Sequence, residues 1–189
     1  MIRRAAIRDV PVIGRIINDA AEQGLMLHRS FEFLYENVRD FHVAVADDHV
    51  VGVCGLKVVW ANLAEVYALA VRLEHRGRGI GRRLVLSCLD EAEELGVRRI
   101  MVLTYEQPFF EKLGFEVVDR EQLPLKVWSE CVRCAKNQAC DEIAMVRELA
   151  DVPVLDAPQP GRLPSSAYVV PTPVQLDVAA QRRKMDEAH

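Results

Sequence analysis

The stretch from Glu65 to Gly96 constrains this chain more than any other. An apolar run, Glu65 to Val71, leads into Arg76-Gly77-Arg78-Gly79-Ile80-Gly81, after which Val85, Cys88, Leu89 and Ala92 recur at helical spacing until Gly96. Val66, Ala68, Leu69 and Val71 leave neither face of the first run polar, which predicts a strand in the middle of a covered sheet. The later repeat predicts an amphipathic helix from Gly81 to Leu95 that stops at a glycine. Arg99 to Tyr105 reads as strand again. The segment is therefore strand, glycine turn, helix, strand, with a right-handed crossover expected.

The rest of the chain supplies the elements around this unit. Ile2 to Ile7 predicts a short strand, with Asp9 as N-cap of a helix that carries Pro11 in its first turn and Val10, Ile13, Ile17 and Ala20 on one face, ending near Gly24. Ser30 to Asp40 predicts a second helix, with Phe33, Leu34 and Val38 inward. His42 to Ala46 and Val50 to Trp60 form an expected antiparallel hairpin around Asp47-Asp48-His49. Gln107 to Leu113 predicts a short helix, Phe115 to Val118 an extended segment, and Glu142 to Arg147 a strand that closes the sheet. The expected class is α/β (α+β), a mixed central sheet flanked by helices, in one domain over residues 1–150. Beyond Asp151, Pro153, Pro158, Pro160, Pro164, Pro171 and Pro173 accompany little apolar periodicity, so residues 151–189 are expected to be a flexible tail without its own core.

Half of the 189 residues are hydrophobic and 28% are charged, enough apolar material for one real core. The net charge of -4 gives no general electrostatic reason to bind nucleic acid or an anionic membrane. No apolar run approaches a membrane span, and Met1-Ile2-Arg3-Arg4 leads into polar sequence, so the cytoplasm is the expected compartment. Arg3 and Arg4 read as surface charge. The cysteines form no even framework. Cys54 and Cys88 fall in core-facing patterns, whereas Cys131, Cys134 and Cys140 crowd together. Those three thiolates could hold a structural zinc, with a fourth ligand from Asp141, Glu142, a histidine or solvent; otherwise they belong to a reduced loop packed on the sheet.

The glycine turn suggests its own chemistry. N–H groups opening a helix are unpaired and carry partial positive charge, so a glycine turn feeding a helix can hold an anion, phosphate first. Its glycines let the main chain approach closely, and Arg76 and Arg78 could add charge-assisted donors, although many such turns merely reverse the chain. Neither the G-x-G-x-x-G order of a dinucleotide fold nor the Gly-Lys-Ser/Thr of a P-loop is present. Arg76-x-x-Gly79-x-Gly81 directly after a buried strand resembles instead the coenzyme A signature of the GNAT superfamily of N-acetyltransferases. Phe109-Phe110-Glu111-Lys112-Leu113-Gly114-Phe115 resembles that superfamily's second cofactor helix and its Gly-Phe ending, and the resemblance runs from Ile2 to Arg147. Leu27-His28-Arg29-Ser30, Leu63-Ala64-Glu65-Val66, Thr104-Tyr105-Glu106-Gln107-Pro108-Phe109-Phe110 and Leu123-Pro124-Leu125-Lys126-Val127-Trp128 are similar to the short, stand-alone amino-acid N-acetyltransferases that act as N-acetylglutamate synthases. His28 departs from that group, which has proline there.

The resemblance implies acetyl transfer from acetyl-CoA to a small amine, first the α-amine of glutamate or glutamine in arginine biosynthesis, by a homodimer. It places the cofactor pyrophosphate on Arg76, Gly77, Arg78, Gly79, Ile80 and Gly81. The pantetheine would lie between the strands Glu65 to Val71 and Arg99 to Tyr105, on main-chain groups of Leu69, Ala70 and Val71, with Phe110 nearby. Direct attack on the thioester needs a base for the ammonium, donors for the developing oxyanion and an acid for the thiolate. Glu65 is the candidate base, through water, unless it is only a strand-end carboxylate paired with an arginine. Many relatives carry an acidic tyrosine where this chain has Phe110; Tyr105 could replace it or only pack, and the thiolate could leave unassisted. Arg29, beside Ser30, is the expected partner of an α-carboxylate. Lys57 and Lys126 either meet a side-chain carboxylate or remain solvated. Acetylation of another small amine or of a protein lysine, and coenzyme A sensing without turnover, are the competing readings.

Overall fold

A computed structural model describes residues 1–119, 122–123 and 142–155. The expectations placed on Lys126, Cys131, Cys134 and Cys140, and on the chain from residue 156 onward, lie outside these residues. Among the described residues no group of three or more His, Cys, Asp or Glu could hold a metal ion, and no helix is long and apolar enough to cross a membrane.

In chain order the elements are β1 (Ile2–Arg4), α1 (Val10–Glu22), α2 (Phe31–Glu36), β2 (Phe41–Ala46), β3 (His49–Trp60), β4 (Leu63–Val71), α3 (Ile80–Glu94), β5 (Arg99–Thr104), α4 (Gln107–Glu111), β6 (Glu116–Val117) and β7 (Ile143–Glu148). The strands form one seven-stranded sheet in the order β1-β2-β3-β4-β5-β7-β6. Every pairing is antiparallel except β4 with β5, the pair that the strand, glycine turn, helix, strand pattern foretells. The strand expected over Glu142 to Arg147 is β7, and it joins the sheet. It pairs along all of β5, from Arg99 opposite Glu148 to Thr104 opposite Ile143, and leaves the short β6 as the edge.

Helices cover both faces. Val85, Cys88, Leu89 and Ala92 of α3 bury against Ala44, Cys54, Leu56 and Val66. On the opposite face Val10, Ile13, Ile17 and Ala20 of α1, with Leu34 of α2, bury against Phe41, Val43, Val53 and Tyr67. Full burial of one such aliphatic side chain contributes roughly 1.5–3 kcal/mol. That contribution decides the fate of α2, which is too short to persist in water by itself and is held down by the wholly buried Leu34.

Three local expectations fail for identifiable reasons. β1 ends at Arg4 rather than Ile7, because the Asp9 carboxylate folds back to accept from the Ala6 N–H at 2.8 Å and, bidentately, from the Arg3 guanidinium at 2.6 and 2.9 Å. Asp9 is the N-cap residue of α1, as expected, but its side chain serves the short turn Ile7–Asp9 and makes no cap bond to α1. Arg3 and Arg4 are structural rather than simple surface charge: Arg3 serves Asp9, and Arg4 reaches Glu91 on α3 at 2.5 Å. The second helix stops at Glu36, where the Asn37 side-chain amide donates to the Phe33 carbonyl at 2.8 Å in competition with the helical ladder.

The pairing of β3 with β4 is irregular at two points, between Val58 and Trp60 and between Val53 and Gly55, and the second lies beside the cavity. Gly55 of β3 opposes Tyr67, but Val53 opposes Ala70, so β4 takes up one extra residue between them. Ala68, with φ of 51°, is in the left-handed region and marks this bulge. Tyr67 and Ala70 pack with the α1 side, while Leu69 and Val71 pack with the α3 side.

Candidate active site

The parallel ladder between β4 and β5 spans only Leu63–Glu65 against Arg99–Met101. Beyond it the two strands border a single cavity of about 860 Å3, with Val66 to Val71 on one side and Val102 to Tyr105 on the other. A volume of this order suits a small-molecule or cofactor site. Parallel strands that part in mid-sheet offer their main-chain groups to a ligand lying between them, and the bulge at Ala68 re-aims the β4 side of that opening.

At one end of the cavity lies the glycine turn. Gly77, Gly79, Ile80 and Gly81 all line it. Gly77 and Gly79 have φ of 74° and 70°, and Gly79 is the N-cap residue of α3. A side chain at either would be strained, whereas glycine reverses the chain tightly enough to bring the first N–H groups of a four-turn helix to the cavity rim. Arg76 also lines the cavity; its Nε donates to the Val71 carbonyl at 3.0 Å, tying the turn to the end of β4. Arg78 is exposed and is not among the lining residues. Two further basic side chains, His75 and Arg82, line this end without any sequence pattern that singles them out.

Toward the other end lie Glu65, Tyr67 and the loop Leu25 to Arg29 between α1 and α2, while Tyr105 lines the wall just past the end of β5. Glu65 is partly buried and stands directly across the ladder from Lys57, so the two side chains share a face. Lys57 itself is outside the cavity lining, and its charge acts also on Asp40. Ser30 is a helix cap: its hydroxyl accepts from the Phe33 N–H at 3.3 Å. Phe110 is buried, edge-on to Phe109 and Phe115, and closes the cavity beside the glycine turn with Phe109. The structure therefore gathers Glu65, Tyr105, Leu69, Ala70, Val71, Arg76, Gly77, Gly79, Ile80, Gly81, Phe110 and Arg29 around one space, and leaves Arg78, Ser30 and Lys57 outside its lining.

Tyr67 is the principal site residue that the sequence by itself does not single out. Its ring is 8% exposed and its hydroxyl donates to the Asp40 carboxylate at 3.1 Å. Burial, reinforced by the Asp40 charge, pushes the phenol far above its ordinary range, so Tyr67 remains protonated. Burial likewise raises the Asp40 carboxyl, opposed by the Tyr67 hydrogen bond and by Lys57. The sequence does hold one signal: Gly55 interrupts a β-rich run, which in a strand marks close approach by something bulky.

The cavity thus combines a helix N-terminus suited to phosphate, a channel walled by main chain, a carboxylate at the channel's side and an arginine beyond it. The Acetyltransferase (GNAT) family model matches residues 14–115. An uncharacterised N-acetyltransferase of Chlorobaculum tepidum is 41% identical, over 78% of this chain and 96% of its own. An amino-acid acetyltransferase of Mycobacterium tuberculosis is 35% identical, over 70% of this chain and 78% of its own. The crystal structure of Neisseria gonorrhoeae N-acetylglutamate synthase complexed with coenzyme A and N-acetyl-glutamate superposes with a TM-score of 0.70 at 28% identity, covering 79% of this chain and 35% of that one. The present chain therefore matches about a third of that longer protein's length. On its sequence, its sheet and its glycine-turn cavity, the chain belongs to the acetyltransferase (GNAT) family and is an acetyl-CoA-dependent N-acetyltransferase.

Proposed function

We propose that the acceptor is the α-amino group of L-glutamate or L-glutamine, and that the reaction serves arginine biosynthesis in the cytoplasm. The observation that carries this reading is Arg29, a guanidinium on the same cavity as Glu65 and the glycine turn, at the end away from the turn. An α-amino acid presents a carboxylate two bonds from its nitrogen, so an arginine that binds the first fixes the second. The amino-acid acetyltransferase relative and the N-acetylglutamate synthase structure support the same class of acceptor.

In this reading the turn Arg76–Gly81 and the α3 N-terminus bind the cofactor pyrophosphate, and main-chain groups of Leu69 to Val71 hold the pantetheine and the thioester carbonyl. Glu65 takes a proton from the bound ammonium through water. The neutral amine attacks the thioester carbon, and the carbonyl oxygen gathers negative charge against main-chain N–H donors. The carbon–sulfur bond then breaks and the nitrogen sheds its second proton to water, leaving the neutral N-acetyl amide and coenzyme A thiolate. In this reading Tyr105, on the cavity wall just past β5, gives the thiolate its proton; because Phe110 has no hydroxyl, no donor comes from that position.

The test is acetyl-CoA-dependent thiol release across the twenty common amino acids and the common polyamines, with mass spectrometry of each product. Selective formation of N-acetylglutamate or N-acetylglutamine is expected. Turnover confined to polyamines or to protein lysines would overturn the reading.

A further inference from the structure

We propose that Asn18, Phe33 and Tyr67 are positioning residues that hold the Arg29 guanidinium as a pre-oriented fork, and so set the enzyme's selectivity for acceptors bearing an α-carboxylate. This rests on the reading that Arg29 binds that carboxylate.

Arg29 is part of a loop, yet it is held from three directions. The Asn18 side-chain amide on α1 grips its peptide twice: Oδ1 accepts from the Arg29 N–H at 2.9 Å, and Nδ2 donates to the Arg29 carbonyl at 3.1 Å. The guanidinium carbon lies 4.4 Å from the centroid of the Phe33 ring and 5.9 Å from that of Tyr67. These two rings meet edge to face, 6.5 Å apart at 84°. They form a corner on which the cation rests.

The corner is itself held rigid. Phe33 belongs to α2, and the Ser30 cap engages its N–H. Tyr67 is anchored at its tip by Asp40 and along its side by Phe41, whose ring centroid is 5.3 Å away. It lies across the main chain of Gly55, where a Cβ would be only 2.5 Å from the ring. Any other residue at position 55 would drive the ring out of this place. Gly55 is therefore the far end of a chain of contacts that finishes at Arg29.

Stacking occupies the face of a guanidinium, whereas its N–H donors lie in the plane. A guanidinium held over the Phe33 ring with Tyr67 beside it has already given up much of its rotamer freedom, and loses little more when a carboxylate arrives. A lysine could not substitute, since it has neither the plane nor the fork. An acceptor without the α-carboxylate gains nothing from this arrangement.

Steady-state kinetics with L-glutamate and with 4-aminobutyrate, the same molecule without its α-carboxylate, test the proposal. Asn18→Ala and Tyr67→Leu should each raise the KM for L-glutamate roughly ten-fold, the order expected for losing a cation–π contact or the constraint on it. The kcat at saturation and the KM for acetyl-CoA should move by less than about two-fold. Turnover of 4-aminobutyrate should not fall, and in an Arg29→Ala background neither change should cause a further loss. Tyr67→Phe keeps the ring but loses Asp40, and should give a smaller rise; with Asn18→Ala it carries the test if Tyr67→Leu does not fold. Losses in step on both substrates, or losses that add to that of Arg29→Ala, would mean that these residues only maintain the fold, and the proposal fails. An Arg29→Ala protein with an unchanged KM for L-glutamate would remove the carboxylate site itself. An Arg29-dependent KM that is indifferent to Asn18 and Tyr67 would overturn the cradle alone.

Discussion

The two ends of the cavity are made in opposite ways. The end that we assign to the cofactor is local: Val71 to Arg82 supplies the strand end, the turn and the helix N-terminus with its unpaired main-chain N–H groups. The end that we assign to the acceptor is assembled from afar: Asn18, Arg29, Phe33, Asp40, Gly55, Glu65 and Tyr67 come from two helices, two strands and the segments between them, and meet through side-chain packing and hydrogen bonds. A site built of backbone is fixed wherever its glycines are. A site built of side chains depends on packing among segments that are distant in sequence. The first end can stay the same while the second is rebuilt for another amine.

The largest test of this division is Glu65→Gln, which keeps the side chain's size and removes its basicity. Turnover should fall by roughly a hundred-fold or more, the usual scale for losing a general base, with acetyl-CoA affinity unchanged by calorimetry. An undiminished rate across the pH range would exclude Glu65 as the base. Next comes Gly79→Val, which forces a β-branched residue to a φ of 70°. Strain of about 1–3 kcal/mol should weaken acetyl-CoA roughly ten-fold or more while acceptor preference stays as it was; unchanged affinity would show that the turn is not the phosphate cradle. Arg76→Ala should weaken acetyl-CoA by only about a few-fold, because an exposed cation acts through a high dielectric, and less still at high salt. Equal weakening at all ionic strengths would assign Arg76 a purely structural role through Val71.

Asp9→Asn, in neither end, should leave all kinetic constants unchanged and lower stability by about 1–2 kcal/mol at neutral pH. The Arg3 guanidinium holds the Asp9 carboxyl below its ordinary value of 3.8. A depressed carboxyl contributes stability that is present above the unfolded value and is lost as pH falls through the lower folded one. Melting curves of the wild type and the variant should therefore be furthest apart above about pH 4 and converge in stronger acid. A constant gap down to about pH 2 would show that the Arg3 pair is not its source.

The same division explains what is legible in the sequence. The glycine turn, the helix after it and the strand before it can be read directly because each depends on near neighbours: a positive φ needs glycine, and an amphipathic face needs only its own period. Glu65, Tyr105 and Arg29 emerge by resemblance rather than by spacing, and the fold brings them to one space. Tyr67 looks like one more member of an apolar strand, since nothing within a few residues of it reveals Asp40 or Gly55 beneath it. Arg78 draws notice for its charge, but charge alone does not say which way an exposed side chain turns. Asp9 has the look of a cap for α1, yet Arg3, six residues earlier, claims its carboxylate. The inner position of β7 is hidden because strand order across a sheet is a long-range property that no local pattern encodes.

The extra residue at Ala68 works as a phase slip in the strand's two-residue rhythm. Up to Tyr67, β4 addresses the acceptor with its odd-numbered positions; past Ala68, the odd-numbered Leu69 and Val71 belong to the other side. One strand can thus serve two compartments in turn, without a break in the sheet. Deleting a single residue there would leave a β-strand of nearly the same composition and hydropathy. Its last residues would keep their present sides, Leu69 and Val71 toward α3 and Ala70 toward α1, but the left-handed step that re-aims the strand beside the cavity would be gone.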